Sequence, residues 1–172
     1  MILKRLREKS NQKYFNNLLR EDRPTVPSGK IDSVGILLNS EEFNSLDRMR
    51  AMLKAIGFKD NKVKFITFIS DESSRPNSWD SFFSPKDFGW KGKLKNVDLE
   101  EFINTRFDAL ICYYNSDIFE LNLVTALSQA SFKIGITDHD PRLFDLIIRI
   151  KSKHVDVFQN EIVKYLTVLN KI

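Results

Sequence analysis

The sequence predicts an α/β protein with a Rossmann-like three-layer sandwich: a mostly parallel sheet covered by helices and preceded by a basic N-terminal helix. Three observations predict this class. Short, almost continuous apolar runs alternate with amphipathic segments, as in parallel sheets whose strands are joined by helices. The length of 172 residues suits one domain rather than two. Apolar residues at 42% and charged residues at 29% are typical of a chain that buries a core.

Residues 1–23 are predicted to form the basic helix, because their apolar positions recur at spacings of three and four. Seven Lys or Arg residues oppose three acids there, which gives a net charge of +4. The rest of the chain carries 20 charges of each sign and is neutral. Pro24, Pro27 and Gly29 break the helix, so residues 24–30 are predicted to be a linker and residues 31–172 a single domain.

Residues 31–38 and 63–69 are predicted to be parallel strands joined by a helix. Both are apolar runs bounded by turn residues. Between them, apolar positions from residue 43 to residue 56 step by three or four, and Asn39 or Ser40 is expected to cap this helix. The right-handed crossover of such units predicts parallel pairing.

Residues 70–95 contain two prolines and two glycines without a helical period, which predicts a long irregular loop. A short helix is predicted over residues 97–104. A buried strand at 107–114 then precedes an apolar helix at 118–130.

Residues 132–137 and 143–150 are predicted to be two further strands. The short turn between them favours a reversal, so we expect one antiparallel strand in the sheet. The apolar stripe of residues 155–169 predicts a C-terminal helix.

Several function classes lack their motifs. No glycine-rich phosphate turn follows the first strand, no P-loop is present, and no DNA sequence-reading motif occurs. One cysteine and two histidines do not make a closed zinc site, so neither a metal nor a cofactor is predicted. The lone Cys112, the lack of a long apolar run and the lack of a secretory signal predict a cytoplasmic protein.

Turns at the carboxyl ends of the predicted strands are the candidate ligand site, because ligands of open α/β sheets bind there. Helix capping and turn formation explain the same residues without any ligand. In the ligand-binding alternative, His139 is a candidate acid or base. The candidate residues are Asn39, Ser40, Asn115, Ser116, Asp117, Asp138, His139 and Asp140.

Two further regions are candidates for binding a partner. The cations of the leading helix either form a solvated surface or contact RNA, a ribosome or, second to these, an anionic membrane. The aromatic residues of the long loop either fold the loop onto the sheet or bind a base, a sugar or a protein. The partner-binding candidates are Lys4, Arg5, Arg7, Lys9, Lys13, Trp79, Phe82, Phe83, Phe88 and Trp90.

Residues 31–38, 107–114, 130–136 and 143–148 resemble a family of small uncharacterised proteins from Bacteroidota, which implies an α/β fold and no assigned activity. Residues 130–136 are also similar to the amino-terminal half of heptosyltransferase-like glycosyltransferases. The chain has no counterpart of their nucleotide-sugar-binding domain.

The absence of a catalytic motif and the segregated charge predict a non-catalytic protein that binds an anionic macromolecule, with RNA or the ribosome first. Two alternatives stay open. One is a small-ligand binder or degenerate glycosyltransferase-like enzyme that uses the strand-end turns. The other is a subunit of a larger assembly, held through the aromatic loop.

Overall fold

The computed structural model describes residues 1–76 and 80–172, which contain five α-helices and six β-strands. The helices are α1 (Ile2–Leu18), α2 (Leu46–Ile56), α3 (Val97–Asn104), α4 (Phe119–Leu127) and α5 (Val155–Val168). The strands are β1 (Val34–Asn39), β2 (Val63–Phe68), β3 (Phe82–Phe83), β4 (Ala109–Tyr113), β5 (Lys133–Gly135) and β6 (Leu146–Ile147).

The six strands form one sheet in the order β3-β2-β1-β4-β5-β6, and every pairing between them is parallel. In the register of the central strands, Ile36 of β1 lies between Phe65 of β2 and Ile111 of β4. This order places β1 and β4 at the centre. Strands β2 and β3 are added on one side of β1, and the chain then crosses to the other side, where β4, β5 and β6 are added. The predicted α/β class with a largely parallel sheet is confirmed.

The expected antiparallel strand is wrong. β6 begins at Leu146, three residues after the predicted start, so the connection from β5 spans residues 136–145 and includes a 3₁₀ turn at Pro141–Leu143. A connection of that length is long enough to return the chain to the amino edge of the sheet, where the strands begin. There Asp145 N–H donates to the Lys133 carbonyl at 2.8 Å. The strand therefore pairs parallel to β5.

Two hydrophobic layers enclose the sheet. Side chains on one face, such as Ile36 and Leu38, pack with Leu53 of α2 and Phe158 of α5. The other face packs with α3 and α4, and Phe15 joins this second layer from α1. Alternating residues of the central strands serve both layers, which explains why these strands read as continuous apolar runs.

Two local predictions also need correction. α2 begins at Leu46 after Ser45, so neither Asn39 nor Ser40 caps it; Asn39 is instead the last residue of β1. The long loop predicted as irregular contains β3, which pairs with β2 through Phe82 and Phe83. Two residues are too few to show a periodicity, so the pattern did not reveal this strand.

Among the described residues, no helix combines the length and the apolar character that a membrane span needs.

Candidate functional site

The carboxyl edge of the sheet brings together the turns that follow β1 and β4. The strand order reverses between these two strands, and ligands of open parallel sheets bind in the crevice at such a point. Asn39 ends β1, while Asn115 and Ser116 follow β4. Three of the predicted ligand residues are therefore neighbours in space.

A carboxylate of the protein itself fills this crevice. Glu42 Oε2 accepts from the backbone N–H of Asn115 at 2.5 Å, and its Oε1 accepts from the backbone N–H of Ser116 at 2.8 Å. The side-chain amide of Asn39 donates to the same Oε1 at 3.0 Å. Glu42 thus occupies the backbone donors that a ligand's phosphate or carboxylate would use in a related sheet.

The charge of Glu42 is stabilised in this position. Partial burial by itself would raise its pKa, but the donated hydrogen bonds from Asn115, Ser116 and Asn39 outweigh that effect and lower the pKa below the ordinary value. The carboxylate therefore stays ionised at neutral pH and links the two halves of the sheet across 73 residues of sequence.

A cleft of about 420 Å³ lies beside this crevice, between the ends of β4 and β5. Ile136 and Ile150 give it apolar walls, and its polar rim carries Asn115, Thr137, Asp138, His139, Arg149 and Lys151. The size and mixed lining of the cleft suit a small polar molecule.

His139 is anchored at the rim of the cleft. Its Nε2 lies 2.8 Å from the Asn115 carbonyl oxygen, and because a carbonyl only accepts, Nε2 carries the proton. Asp138 forms an exposed ion pair with Arg149 at 2.7 Å, and the hydrogen bond from Arg149 lowers the pKa of Asp138. The rim therefore presents an imidazole and Lys151, a cation without an ion pair in the part of the chain that the structure describes.

The other predicted turn residues have structural partners. Asn115 accepts from Ser152 N–H at 2.7 Å and donates to the Ile150 carbonyl at 2.7 Å, which ties the β4 turn to the segment before α5. Asp117 accepts from the Asn122 amide at 2.7 Å. α4 has no side-chain cap, so the expected capping by residues 115–117 is not found.

Asp140 and Ser40 complete the set of predicted turn residues. Asp140 accepts two hydrogen bonds from Arg142, at 2.9 and 2.8 Å, which lower its pKa. Ser40 donates its backbone N–H to the Phe68 carbonyl. Asn39, Ser40, Asn115 and Ser116 surround the filled crevice, whereas Asp138 and His139 border the open cleft.

Two residues that organise the site, Glu42 in the filled crevice and Arg149 at the open cleft, were not predicted from the sequence. The backbone donors that hold Glu42 lie on a turn 73 residues away, so local spacing assigns it no role in the site. The signal for its role was the acidic residue after β1, where phosphate-binding sheets carry glycine.

A second candidate region forms where α1 packs on the long loop. Asn11 Oδ1 accepts from Gly92 N–H at 2.9 Å, and both residues are buried. Gly92 has a positive φ of 70°, and a Cβ at this position would lie 2.5 Å from Tyr14 Cε1. Glycine is therefore required for the close approach of loop and helix.

This contact packs a loop segment that carries three lysines against a helix that carries five cations. Lys91 and Lys93 flank Gly92, and Lys95 follows them; all three are exposed. On α1, Lys4, Arg5, Lys9 and Lys13 are exposed, and Arg7 is half-buried. The term basic surface denotes these eight cations together with Trp90.

Few cations of the basic surface are paired with acidic side chains. Within the described residues, the single ion pair of these cations joins Lys4 to Glu8 of the same helix at 4.0 Å, and both side chains are well exposed. α1 is held instead by apolar contacts, including an edge-on contact between Phe15 and Phe119 at 5.6 Å. The positive charge of α1 is thus not used to attach it to the domain.

The predicted aromatic candidates divide by burial. Phe82, Phe83 and Phe88 are at most 5% exposed, and Phe83 stacks edge-on with both Phe68 and Phe88. Trp90 is 49% exposed beside α1. Trp79 lies outside the described residues. Of the described aromatics in the loop, Trp90 presents its ring to solvent.

No group of three or more His, Cys, Asp and Glu side chains with a metal-binding arrangement occurs within residues 1–76 and 80–172. Cys112 is fully buried in β4, 3.3 Å from Thr125 Oγ1, and burial raises the pKa of its thiol to about 12. It is therefore not a thiolate nucleophile at neutral pH.

Comparison with known proteins gives one match. A family model described as a family of unknown function, DUF6913, matches residues 7–169, which include most of α1 and the whole sheet. No curated protein and no solved structure matches the chain, so the similarity to glycosyltransferases gains no support. The expected resemblance to a family without an assigned activity is confirmed, and the chain belongs to the DUF6913 family of unknown function.

Proposed function

We propose that this protein is a non-catalytic, cytoplasmic binding protein whose basic surface engages RNA, alone or in the ribosome. One observation carries the proposal: α1 and the loop that packs on it carry eight cations, and in the described residues a single weak pair inside α1 is their only ion pair with a carboxylate. Cations arranged in this way are available to phosphates.

The charge arrangement favours a large polyanion. The structure pairs other surface cations with nearby acids, as in Arg149 with Asp138 and Lys64 with Glu101. Five cations of the basic surface belong to residues 1–23, the segment that accounts for the net charge of +4 of the chain. A phosphate backbone satisfies many separated cations at once, whereas a small anion satisfies one or two.

Trp90 makes RNA the first choice among polyanions. Its half-exposed indole lies next to Lys91 in the loop that packs on α1. An aromatic ring beside cations stacks unpaired bases while the cations bind the backbone, which is the usual mode for single strands. The preferred partner is therefore single-stranded or loop RNA.

The experiment is fluorescence anisotropy with a labelled oligouridylate about 20 nucleotides long, across a series of salt concentrations. The test variant reverses the five α1 cations (K4E, R5E, R7E, K9E, K13E). The matched control also reverses five exposed cations, all outside the basic surface: Arg48, Lys54, Lys59, Lys153 and Lys164. We expect the α1 variant to lose about a hundredfold in affinity and to flatten the salt slope, while the control stays near wild type.

Two outcomes would overturn the RNA proposal. The first is equal RNA affinity of the wild type and the α1 variant. The second is binding to vesicles rich in anionic lipid without binding to RNA; the exposed Ile2, Leu3 and Leu6 would then be the membrane-inserting side chains. Loss of ribosome co-sedimentation in the α1 variant would extend the proposal to the ribosome.

The open cleft favours a second candidate function, the binding of a small polar ligand beside His139. A thermal-shift panel of nucleotides, sugar nucleotides and divalent metals tests it, because a ligand that binds only the folded state raises Tm. We expect His139→Ala to lose any such shift and His154→Ala, at the start of α5, to keep it. No shift across the panel would remove this candidate.

A further inference from the structure

Two lysines of this chain are equally buried, and only one has its charge well compensated. Lys133 and Lys171 are each 7% exposed. The Lys171 ammonium donates to the carbonyl oxygens of Pro27 and Gly29 and lies over the Phe132 ring at 5.6 Å. The Lys133 ammonium has one acceptor, the Ala126 carbonyl, at a long 3.4 Å.

The nearest carboxylate does not neutralise the Lys133 ammonium. Asp145 Oδ2 accepts from Arg23 Nη2 at 2.6 Å and from the backbone N–H of Lys133 at 2.7 Å. Among the described residues, the side-chain nitrogen of Lys133 therefore makes no carboxylate contact, and the Arg23 guanidinium is close enough to repel it. A buried cation with unused donors is costly unless an anion joins it.

A cavity of about 330 Å³ opens at this place, at the amino end of β5 and away from the carboxyl edge of the sheet. Lys133, Arg23 and Arg106 line it, together with the hydroxyl-bearing residues Ser128 and Ser131. Glu21 and Asp22 also line it and are exposed at residue level. The lining holds three cations and two acids, and Arg23 is already paired with Asp145. Lys133 is therefore the buried cation of the cavity that makes no ion pair among the described residues.

We propose that this cavity is a binding site for a small oxyanion, a phosphate or carboxylate group of a small molecule, held between the Lys133 ammonium and the Arg23 guanidinium. Arg23 comes from the segment between the end of α1 and β1, so the site joins the leading helix to the domain. The proposal concerns a different surface from the RNA site and does not depend on it.

The protonation behaviour of Lys133 agrees with this geometry. Burial, followed by the repulsion of Arg23, lowers the pKa of Lys133 to about 8. A bound oxyanion favours the charged amine and must raise that pKa. Charged or titratable groups surround Lys133 on several sides: Arg23, Glu21 and Asp22 from the segment after α1, Arg106 from the turn before β4, Cys112 from β4, and Arg142 and Asp145 from the β5–β6 connection.

The test follows Tm of the full chain during titration with inorganic phosphate, and separately with acetate, at pH 7. We expect phosphate, acetate or both to give a saturable rise in Tm in the wild type and no rise in Lys133→Met, which removes the ammonium but keeps the length of the side chain. Lys171→Met is the matched control for a buried lysine, and the five-cation α1 variant excludes binding on α1. Both should respond like the wild type.

A second measurement keeps the proposal testable if a variant does not fold. Wild-type affinity for the responding anion should fall about tenfold per pH unit above pH 8, as Lys133 loses its proton. A wild type that responds to neither anion, a Lys133→Met response equal to that of the wild type, or affinity that does not change between pH 7 and 10 would each overturn the proposal.

Discussion

The carboxyl edge of the sheet and the basic surface use charge in opposite ways. At the edge, Glu42 binds two backbone N–H groups, and Asp138 and Asp140 each pair with an arginine. On the basic surface, the helix is attached by Phe15 and Asn11, and its cations face solvent. At the edge charge stabilises the fold, and on the basic surface it remains available to a partner.

The difference shows why position in the fold is a poor guide to function by itself. The crevice between β1 and β4 is the usual ligand site of this strand order, yet here a side chain of the protein fills it. The basic surface, whose cations make a single ion pair among the described residues, lies instead on α1 and the long loop. Variants that separate stability from binding test this division.

The largest effect on stability is expected from Glu42→Ala. Its removal leaves the N–H groups of Asn115 and Ser116 without their acceptor, so the free energy of unfolding should fall by about 3 kcal/mol, measured by urea denaturation. Glu41→Ala is the control, because the Glu41 carboxylate accepts a side-chain bond from Ser70 alone among described residues. An equal loss in both variants would contradict a structural role that is specific to Glu42.

Gly92→Ala should have the next largest effect, because it acts on the contact between α1 and the loop. A methyl group at φ 70° and 2.5 Å from Tyr14 should cost about 2 kcal/mol and accelerate hydrogen exchange in α1. Gly29→Ala, whose Cβ would meet nothing within 4 Å, is the control. Unchanged exchange in α1 would show that Gly92 does not hold the helix.

Acid should weaken the carboxyl edge through Glu42, because protonation removes the charge that the donated hydrogen bonds stabilise. Its folded pKa lies below the ordinary 4.5, so its contribution to stability is present above that value and is lost as pH falls through the folded pKa. The difference in unfolding free energy between wild type and Glu42→Gln should therefore shrink from pH 6 to pH 3. A constant difference would contradict the stabilised charge.

Reversal of the five α1 cations should have the smallest effect on stability. Among the described residues these side chains make no ion pair with the domain, although Lys4 interacts electrostatically with Glu120. Acids near a helix start are favourable, so the change should stay within about 0.5 kcal/mol. The same variant is expected to lose RNA affinity. A large destabilisation would show that these cations stabilise the folded state. The contrast between the carboxyl edge and the basic surface would then be wrong.

Local patterns predicted most of the secondary structure. The helical spacing of α5 and the apolar runs of β1, β2 and β4 were found within a few residues of their observed bounds, because periodicity reports burial on one or two faces. β3 and β6 have two residues each, and their pairing depends on distant strands. The direction of β6 was therefore predicted wrongly.

Candidate residues were predicted less completely than the fold. The turns at the carboxyl edge were located correctly as a group, since parallel strands end together. Which of them form a filled crevice and which an open cleft depended on Glu42, whose partners lie 73 and 74 residues away. No local spacing encodes a hydrogen bond over that separation.

The sequence by itself determined the α/β class, the segregation of positive charge into residues 1–23 and the break after them, because composition and periodicity are local properties. Tertiary structure decided the parallel direction of β6, the joining of α1 to the lysine-bearing loop at Gly92, and the burial of Lys133 beside Arg23. Each of these depends on packing between segments far apart in the chain. That packing determines how deeply a charged side chain is buried and which groups surround it, and neither can be read from local sequence.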